Sequence, residues 1–216
     1  MIPTPDLSHL SRDDYEHVYE PAEDTFILLD ALEQDASELQ SIAPRICLEI
    51  GSGSGCVSSF VGAIIGTSCL YIATDINSRA SLCTTRTARQ NKVALDAVTA
   101  NLAAPLLPRL TCKVDLLVFN PPYVPTYDLE ATEAQSNGGI AGAWAGGADG
   151  MQVTDVLLDQ LDDLLSPNGR FYLVAVKQND VPGIQKRMLE RFGLRSDVVL
   201  QRRAGRELLF VVRFMR

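Results

Sequence analysis

Along the chain, short continuous apolar runs alternate with segments whose apolar residues return every three or four positions. The longer rhythm predicts helices over residues 25–39, 57–65, 78–91, 153–165 and 182–192. The continuous runs predict strands over residues 45–50, 69–76, 97–100, 114–119 and 170–176. Pro21 is expected at the first helical position, with Glu20, Glu23 and Asp24 at the positive end of the 25–39 helix. Ser166-Pro167-Asn168-Gly169 is expected to stop the 153–165 helix. Residues 197–202 and 207–214 read as a closing hairpin that turns at Ala204-Gly205. Strands apolar on both faces and separated by helices predict a doubly wound, Rossmann-like α/β sheet covered on both sides. Ligands of such sheets sit beyond the carboxyl ends of the strands, where the strand order reverses. The loops after the first, second and fourth strands are therefore where chemistry is expected.

A chain of 216 residues is long enough for one core and short for two. A single domain over residues 1–216 is expected, with an N-terminal segment at 1–18 and a glycine- and alanine-rich insertion at 125–150. That insertion holds the only tryptophan, Trp144, and Glu130 and Glu133, and is expected to face a substrate. Apolar residues make up 46% and charged residues 21%, which excludes a disordered or fibrous class.

The net charge of −8 argues against a protein that grips nucleic-acid backbone by itself. The basic clusters, Lys186-Arg187 and Arg202-Arg203 with Arg206, have no interleaved aromatics and read as solvated faces. A protein or small-molecule substrate fits better. The five cysteines form no Cys-x-x-Cys pair and only His9 and His17 are present, so a zinc site or disulfide framework is not expected and reduced core thiols are. The uncharged run 50–74 is broken by glycine, serine and threonine and is not read as a membrane span. The polar, acidic first 18 residues carry no secretion signal, which points to the cytoplasm, with the nucleus open as well.

After the first strand stands Glu49-Ile50-Gly51-Ser52-Gly53-Ser54-Gly55. Alternate glycines let backbone approach a ligand closely and turn into a helix start. A dinucleotide loop needs a sixth-position glycine, and Cys56 stands there instead. The run is similar to the Glu-x-Gly-x-Gly-x-Gly motif of class I methyltransferases, which receives the methionine part of their cofactor. Asp75, closing the second strand, can accept both ribose hydroxyls, with a helix N-cap as its plainer role. Asn101, with Leu102, stands where that family usually has an acidic residue for the adenine amino group, and can accept the same bond without charge.

Asn120-Pro121-Pro122-Tyr123 follows the fourth strand. Asn-Pro and Pro-Pro alone mark turns, but here they close a central strand in a chain that already carries the glycine loop. A methyl acceptor such as an amide nitrogen is a poor nucleophile, because breaking its conjugation costs about 18–20 kcal/mol. The Asn120 side-chain oxygen and the Pro121 carbonyl offer acceptors that strengthen as charge develops, each worth about 1.5–3 kcal/mol. In-line positioning can supply about 7–11 kcal/mol more. Tyr123 is expected to wall the pocket with an aromatic ring.

The tetrapeptide is shared by adenine and glutamine amino-methyltransferases and does not separate them. Residues 18–26, 47–55, 119–124, Ala145-Gly146-Gly147 and Asp149-Gly150-Met151 together resemble the eukaryotic HemK-like glutamine methyltransferases. That resemblance implies a class I fold, a seven-stranded sheet with its last strand antiparallel, and S-adenosyl-L-methionine as cofactor. It implies methyl transfer to the glutamine of the Gly-Gly-Gln tripeptide in the class-1 translation release factor. Tyr19, Thr25, Glu49, Gly51, Gly53, Asp75, Ile76, Asn101, Leu102 and Asn120 would hold the cofactor; Asn120, Pro121 and Tyr123 would serve the target amide. It also implies a heterodimer with a small zinc-binding activator protein, docked on the sheet edge from Ala97 to Leu107, where Val98, Leu102, Leu106 and Leu107 form an apolar strip or pack on their own helix. Adenine amino methylation of nucleic acid, lysine methylation of other proteins and a non-catalytic scaffold remain as alternatives.

Overall fold

The computed structural model describes residues 1–124, 147 and 149–216. Seven strands form one sheet in the order β3-β2-β1-β4-β5-β7-β6. They are β1 (Ile46–Ile50), β2 (Leu70–Asp75), β3 (Leu95–Thr99), β4 (Val114–Phe119), β5 (Leu165–Val176), β6 (Arg195–Ala204) and β7 (Glu207–Met215). All neighbours pair in parallel except β7, which runs antiparallel to both β5 and β6. The expected sheet, with its last strand reversed, is the one observed.

Alternation along each central strand sends side chains to two cores. One face carries Cys47, Leu116, Val118, Tyr172 and Val174 against α2 (Glu23–Gln34), α3 (Ala36–Ile42) and α4 (Cys56–Ile65). The other carries Leu48, Ile50, Leu117, Phe119 and Phe171 against α6 (Leu107–Leu110), α7 (Gln152–Leu158), α8 (Leu161–Leu164) and α9 (Val181–Phe192). The helix α5 (Ser78–Gln90) lies beside β2 and β3 and receives the N-terminal segment, which itself forms the single turn α1 (Arg12–Tyr15). No described helix is long and apolar enough to cross a membrane.

The helix expected at 25–39 is two helices that break at Asp35. Asp35 Oδ2 accepts from the Tyr172 hydroxyl at 2.7 Å and from Arg213 at 2.9 Å, while Arg213 also reaches Glu38 at 2.7 Å. This cluster ties the break to β5 and β7. Pro21 lies outside the helix, whose N-cap is Ala22, rather than at its first position. The 153–165 helix is likewise two short ones, and Ser166-Pro167-Asn168-Gly169 is not a stop after it. Those four residues bulge from β5, whose pairing with β4 jumps from Val114↔Leu165 to Leu116↔Arg170. The Ser166 hydroxyl secures the bulge by donating to Asp115 at 2.6 Å.

Four cysteines are buried free thiols, as expected; Cys112 is exposed instead. β3 does form a sheet edge, but Leu102, Leu106 and Leu107 are partly buried against the second core. The apolar strip expected there is smaller than the sequence implied. The insertion at 125–150, including Glu130, Glu133 and Trp144, lies outside the described residues apart from Gly147, Asp149 and Gly150.

Asp35→Ala should leave the Tyr172 hydroxyl without an acceptor and take one of the Arg213 partners, Glu38 remaining, at a cost of about 2–3 kcal/mol. Thermal unfolding followed by circular dichroism should show a melting temperature lower by roughly 5–10 °C.

Candidate active site

β1 runs directly into the glycine loop, where Gly51, Gly53 and Gly55 take φ of 66°, 52° and 78°. The N–H groups of Gly51 and Ser52 both donate to the Thr74 carbonyl, at 2.8 and 3.1 Å, which folds the loop over the end of β2. A Cβ on Gly55 would stand 2.7 Å from the Thr84 Cα, so only glycine lets the loop pass between α4 and α5. Gly55 is also the N-cap of α4, so the helix begins beside the loop, with its Cys56 N–H on Ser54 Oγ at 3.4 Å and its Ser58 N–H on Glu49.

Two carboxylates support this loop. Glu49 is buried on the α4 side, where its Oε2 accepts from the Ser58 N–H at 2.9 Å and from the Ser58 hydroxyl. Burial pushes its carboxyl up to about 8; the Ser58 bonds oppose that shift and the Asp75 charge adds to it. Asp75 accepts from the Gly53 N–H at 2.9 Å and the Asn77 N–H at 2.8 Å, one on each oxygen. Burial raises its carboxyl and those two bonds lower it. The N-cap of α5 is Asn77, not Asp75, so the plainer role for Asp75 falls away. Each Asp75 oxygen keeps a lone pair for a ligand hydroxyl.

The parallel pairing Ile50↔Phe119 brings the end of β4 beside the loop. Asn120 Nδ2 donates to Asp24 Oδ2 at 3.0 Å, and the Tyr123 hydroxyl donates to the same oxygen at 3.1 Å. Asp24 Oδ1 accepts from the Tyr19 hydroxyl at 3.1 Å and the Thr25 N–H at 2.7 Å. With the Thr25 hydroxyl at 3.5 Å, a carboxylate only 5% exposed is thus met by five donors. The opposite rotation of the Asn120 amide would set two oxygens against each other, so Asp24 decides which end of the amide is free. That end is Oδ1, which is buried and has no partner among the described residues. Sequence reading missed Asp24, because an acid in a helix's first turn looks like a simple complement to the helix dipole.

A cleft of about 960 Å³, counting its open mouth, joins these features. Tyr19, Thr25, Glu49, Gly51, Gly53, Asp75, Ile76, Asn101, Leu102 and Asn120 all line it. Pro121 and Tyr123 do not; Pro122 takes that place. Tyr123 is 8% exposed and packs in the first core, so it is a strut under Asp24 rather than an aromatic wall. Behind it, Gly150 presses so close that a Cβ would lie 2.1 Å from the Tyr123 carbonyl oxygen. Asn101 is exposed, and its side chain makes no hydrogen bond among the described residues. Thr74 Oγ1 is another buried, unpartnered atom in the lining. Spare acceptors on Asp75, an uncommitted hydroxyl at Thr74, a free amide at Asn101 and a close-approach glycine loop fit a nucleoside with a polar tail.

The methyltransferase small domain family model matches residues 23–136. The chain is 51% identical to methyltransferase HEMK2 of Homo sapiens over 211 residues, covering 98% of this chain and 95% of that protein. It is 42% identical to the eRF1 methyltransferase catalytic subunit mtq2 of Schizosaccharomyces pombe, covering 100% and 96%. Among solved structures, the Mtq2–Trm112 complex of E. cuniculi, responsible for methylation of the eRF1 translation termination factor, superposes with a TM-score of 0.67. Its identity to this chain is 25%, over 92% of this chain and 98% of that one.

Glu49 offers a pH test. Its carboxyl is raised on folding, so folding binds a proton that the unfolded chain releases above pH 4.5. Stability should therefore fall as pH rises from there to about 8 and then level off. Glu49→Gln, which keeps an acceptor for Ser58 and does not titrate, should flatten that slope in thermal melts across the range.

Proposed function

Since the chain belongs to the HemK-like branch of the methyltransferase small domain family, we infer that it methylates a protein glutamine. The methyl group comes from S-adenosylmethionine, and the acceptor is the side-chain amide nitrogen of Gly-Gly-Gln in the class-1 translation release factor. The fission-yeast relative carries the name of an eRF1 methyltransferase catalytic subunit, which supports that substrate. The observation that carries the reading in this chain is the free Asn120 Oδ1 at the wall of the cleft.

When bound, S-adenosylmethionine supplies a methyl group on a sulfonium whose departure leaves a neutral thioether. The chain's residues do the rest. Asp75 would take the ribose hydroxyls, Asn101 and Leu102 the adenine side, and the loop Gly51–Gly55 with Tyr19, Thr25 and Ile76 the remainder. Glu49, also on the cleft wall, braces the start of α4 through Ser58. Asn120 Oδ1 accepts a hydrogen bond from the target N–H and holds the nitrogen toward the methyl. As that nitrogen gains positive charge the bond strengthens, and the Asp24 carboxylate one residue behind adds a fixed negative charge. The spare proton leaves to water after transfer. Amide activation thus rests on placement and on charges already in position, not on reorganisation during the step.

We also propose that a small activator protein, itself zinc-binding, covers the outer edge of β3. The bare edge strand, and the Mtq2–Trm112 pairing in the related structure, support this.

The test is mass spectrometry of release factor incubated with the chain, the activator and S-adenosylmethionine. One added methyl on the Gly-Gly-Gln glutamine is expected; an unmodified glutamine, or methyl found instead on a lysine, would overturn the reading. Asn120→Ala should slow transfer about 10²–10³-fold with cofactor binding nearly unchanged. Asp24→Asn, which sets an amide against the Asn120 amide, should slow it in the same range. Loss of cofactor binding in Asn120→Ala would refute the role given to Asn120.

A further inference from the structure

The N-terminal segment runs antiparallel to α5 along its whole length. Asp6 meets Asn91 at 2.8 Å and Gln90 at 2.6 Å, Arg86 bonds Asp14 at 2.9 Å and the His9 carbonyl at 2.7 Å, and Asn77 donates to the His17 carbonyl at 2.8 Å. Leu10 and Val18 pack on Ala80 and Cys83. The strap ends at Tyr19, on the wall of the cleft. Its middle is linked to the same cleft by another route. His9 Nε2 lies 3.1 Å from Thr87 Oγ1, and Thr87 Oγ1 donates to the Ser54 carbonyl of the glycine loop at 2.6 Å. Thr87 has a single hydroxyl hydrogen and gives it to Ser54, so His9 must be the donor to Thr87.

We propose that His9 is a positioning residue for the cofactor, acting through Thr87 to hold the Ser54 carbonyl and so the start of α4. The N-terminal strap is then a working part of the cofactor site and not only a cover for α5. This rests on the reading of the cleft as the S-adenosylmethionine site. Thr84 supports the same loop from the neighbouring turn, donating to the Gly53 carbonyl at 3.2 Å. Holding the loop before the ligand arrives lowers the ordering cost of binding.

The geometry has a pH consequence. With Nε2 as donor, His9 Nδ1 is the bare nitrogen, and it is buried without a partner. A second proton there would be buried without an acceptor. Burial first, and then the Arg86 guanidinium, hold the imidazole below its ordinary value, against the opposing pull of Asp6 and Asp14. The neutral, loop-holding form is complete above the ordinary histidine value of about 6.5. As pH falls from there through the lowered one, the imidazolium keeps its Nε2–H. The buried, unpartnered Nδ1–H beside Arg86 nevertheless disfavours the charged ring in this place, and the hold on the loop weakens with it.

The experiment is calorimetric titration of the full chain with S-adenosylmethionine, from about pH 8 to about pH 5.5, spanning the histidine range. His9→Ala and Thr87→Val should each weaken binding about fivefold at neutral pH, the worth of one hydrogen bond. His9→Gln keeps a donor that does not titrate. It should bind like wild type at neutral pH yet lose part of the wild-type decline in acid, the remainder belonging to Asp75. Wild-type affinity in a folded His9→Ala would overturn the proposal. Should His9→Ala not fold, an acid decline in His9→Gln identical to wild type would overturn it instead. A wild-type chain that takes no cofactor at any pH would defeat the cofactor reading itself, a result distinct from either.

Discussion

Everything in the cleft depends on β1 lying between β2 and β4, with all three parallel. Ile50 pairs with Thr74 on one side and Phe119 on the other, so three strands leave the sheet at one level, by their carboxyl ends. The first becomes the glycine loop, the second ends in Asp75, and the third turns into Asn120. A parallel ladder puts strand ends of the same polarity together, which is why the glycine loop, Asp75 and Asn120 line one cleft though they stand far apart in sequence. The two-residue period of the strands imposes a second condition. A one-residue slip of β1 would turn Glu49 away from Ser58 and drive it into the other core.

Within that frame, Asp24 converts nearness into orientation. Asn120 alone could present either end of its amide to the cleft. The carboxylate takes the Nδ2 end and leaves the Oδ1 acceptor buried and without a partner among the described residues, while Tyr19 bonds its other oxygen and Tyr123 the same one. The tetrapeptide after β4, the first turn of α2 and the end of the N-terminal strap therefore meet on one pair of oxygens. The prolines limit the backbone and the carboxylate limits the side chain. Tyr123 belongs to this support, which explains why an aromatic residue so close to the chemistry is turned away from it.

How much of this was legible beforehand depended on whether a feature was local. The strands, the glycine loop and Asp75 could be read from apolar runs and short spacings, because one segment carries each signal. The break at Asp35 could not, since it answers to Tyr172 and Arg213, more than a hundred residues away. The same holds for Ser166-Pro167-Asn168-Gly169, whose composition marks a turn but whose place as a bulge is set by Asp115 on the neighbouring strand. Asp24 and His9 were hidden in a third way. Each has an ordinary local explanation, in a helix dipole or a polar terminus, and only the fold brings Asn120 to the one and Thr87 to the other.

The polar groups of the cleft are a burden on the fold that a ligand can lift. An unpartnered buried acceptor such as Asn120 Oδ1 or a free hydroxyl such as Thr74 costs about 1–3 kcal/mol each, and the desolvated Asp75 and protonated Glu49 add to it. Two apolar cores on opposite faces of a seven-stranded sheet can bear that cost, and the site sits where both meet the sheet edge. A ligand that satisfies those atoms binds the folded chain and not the unfolded one, so it returns stability in proportion to the logarithm of its concentration. The groups that weigh on the fold are therefore the ones with hydrogen-bonding capacity left for a ligand. A permanent internal partner for Asn120 Oδ1 or Thr74 Oγ1 would remove that cost from the fold.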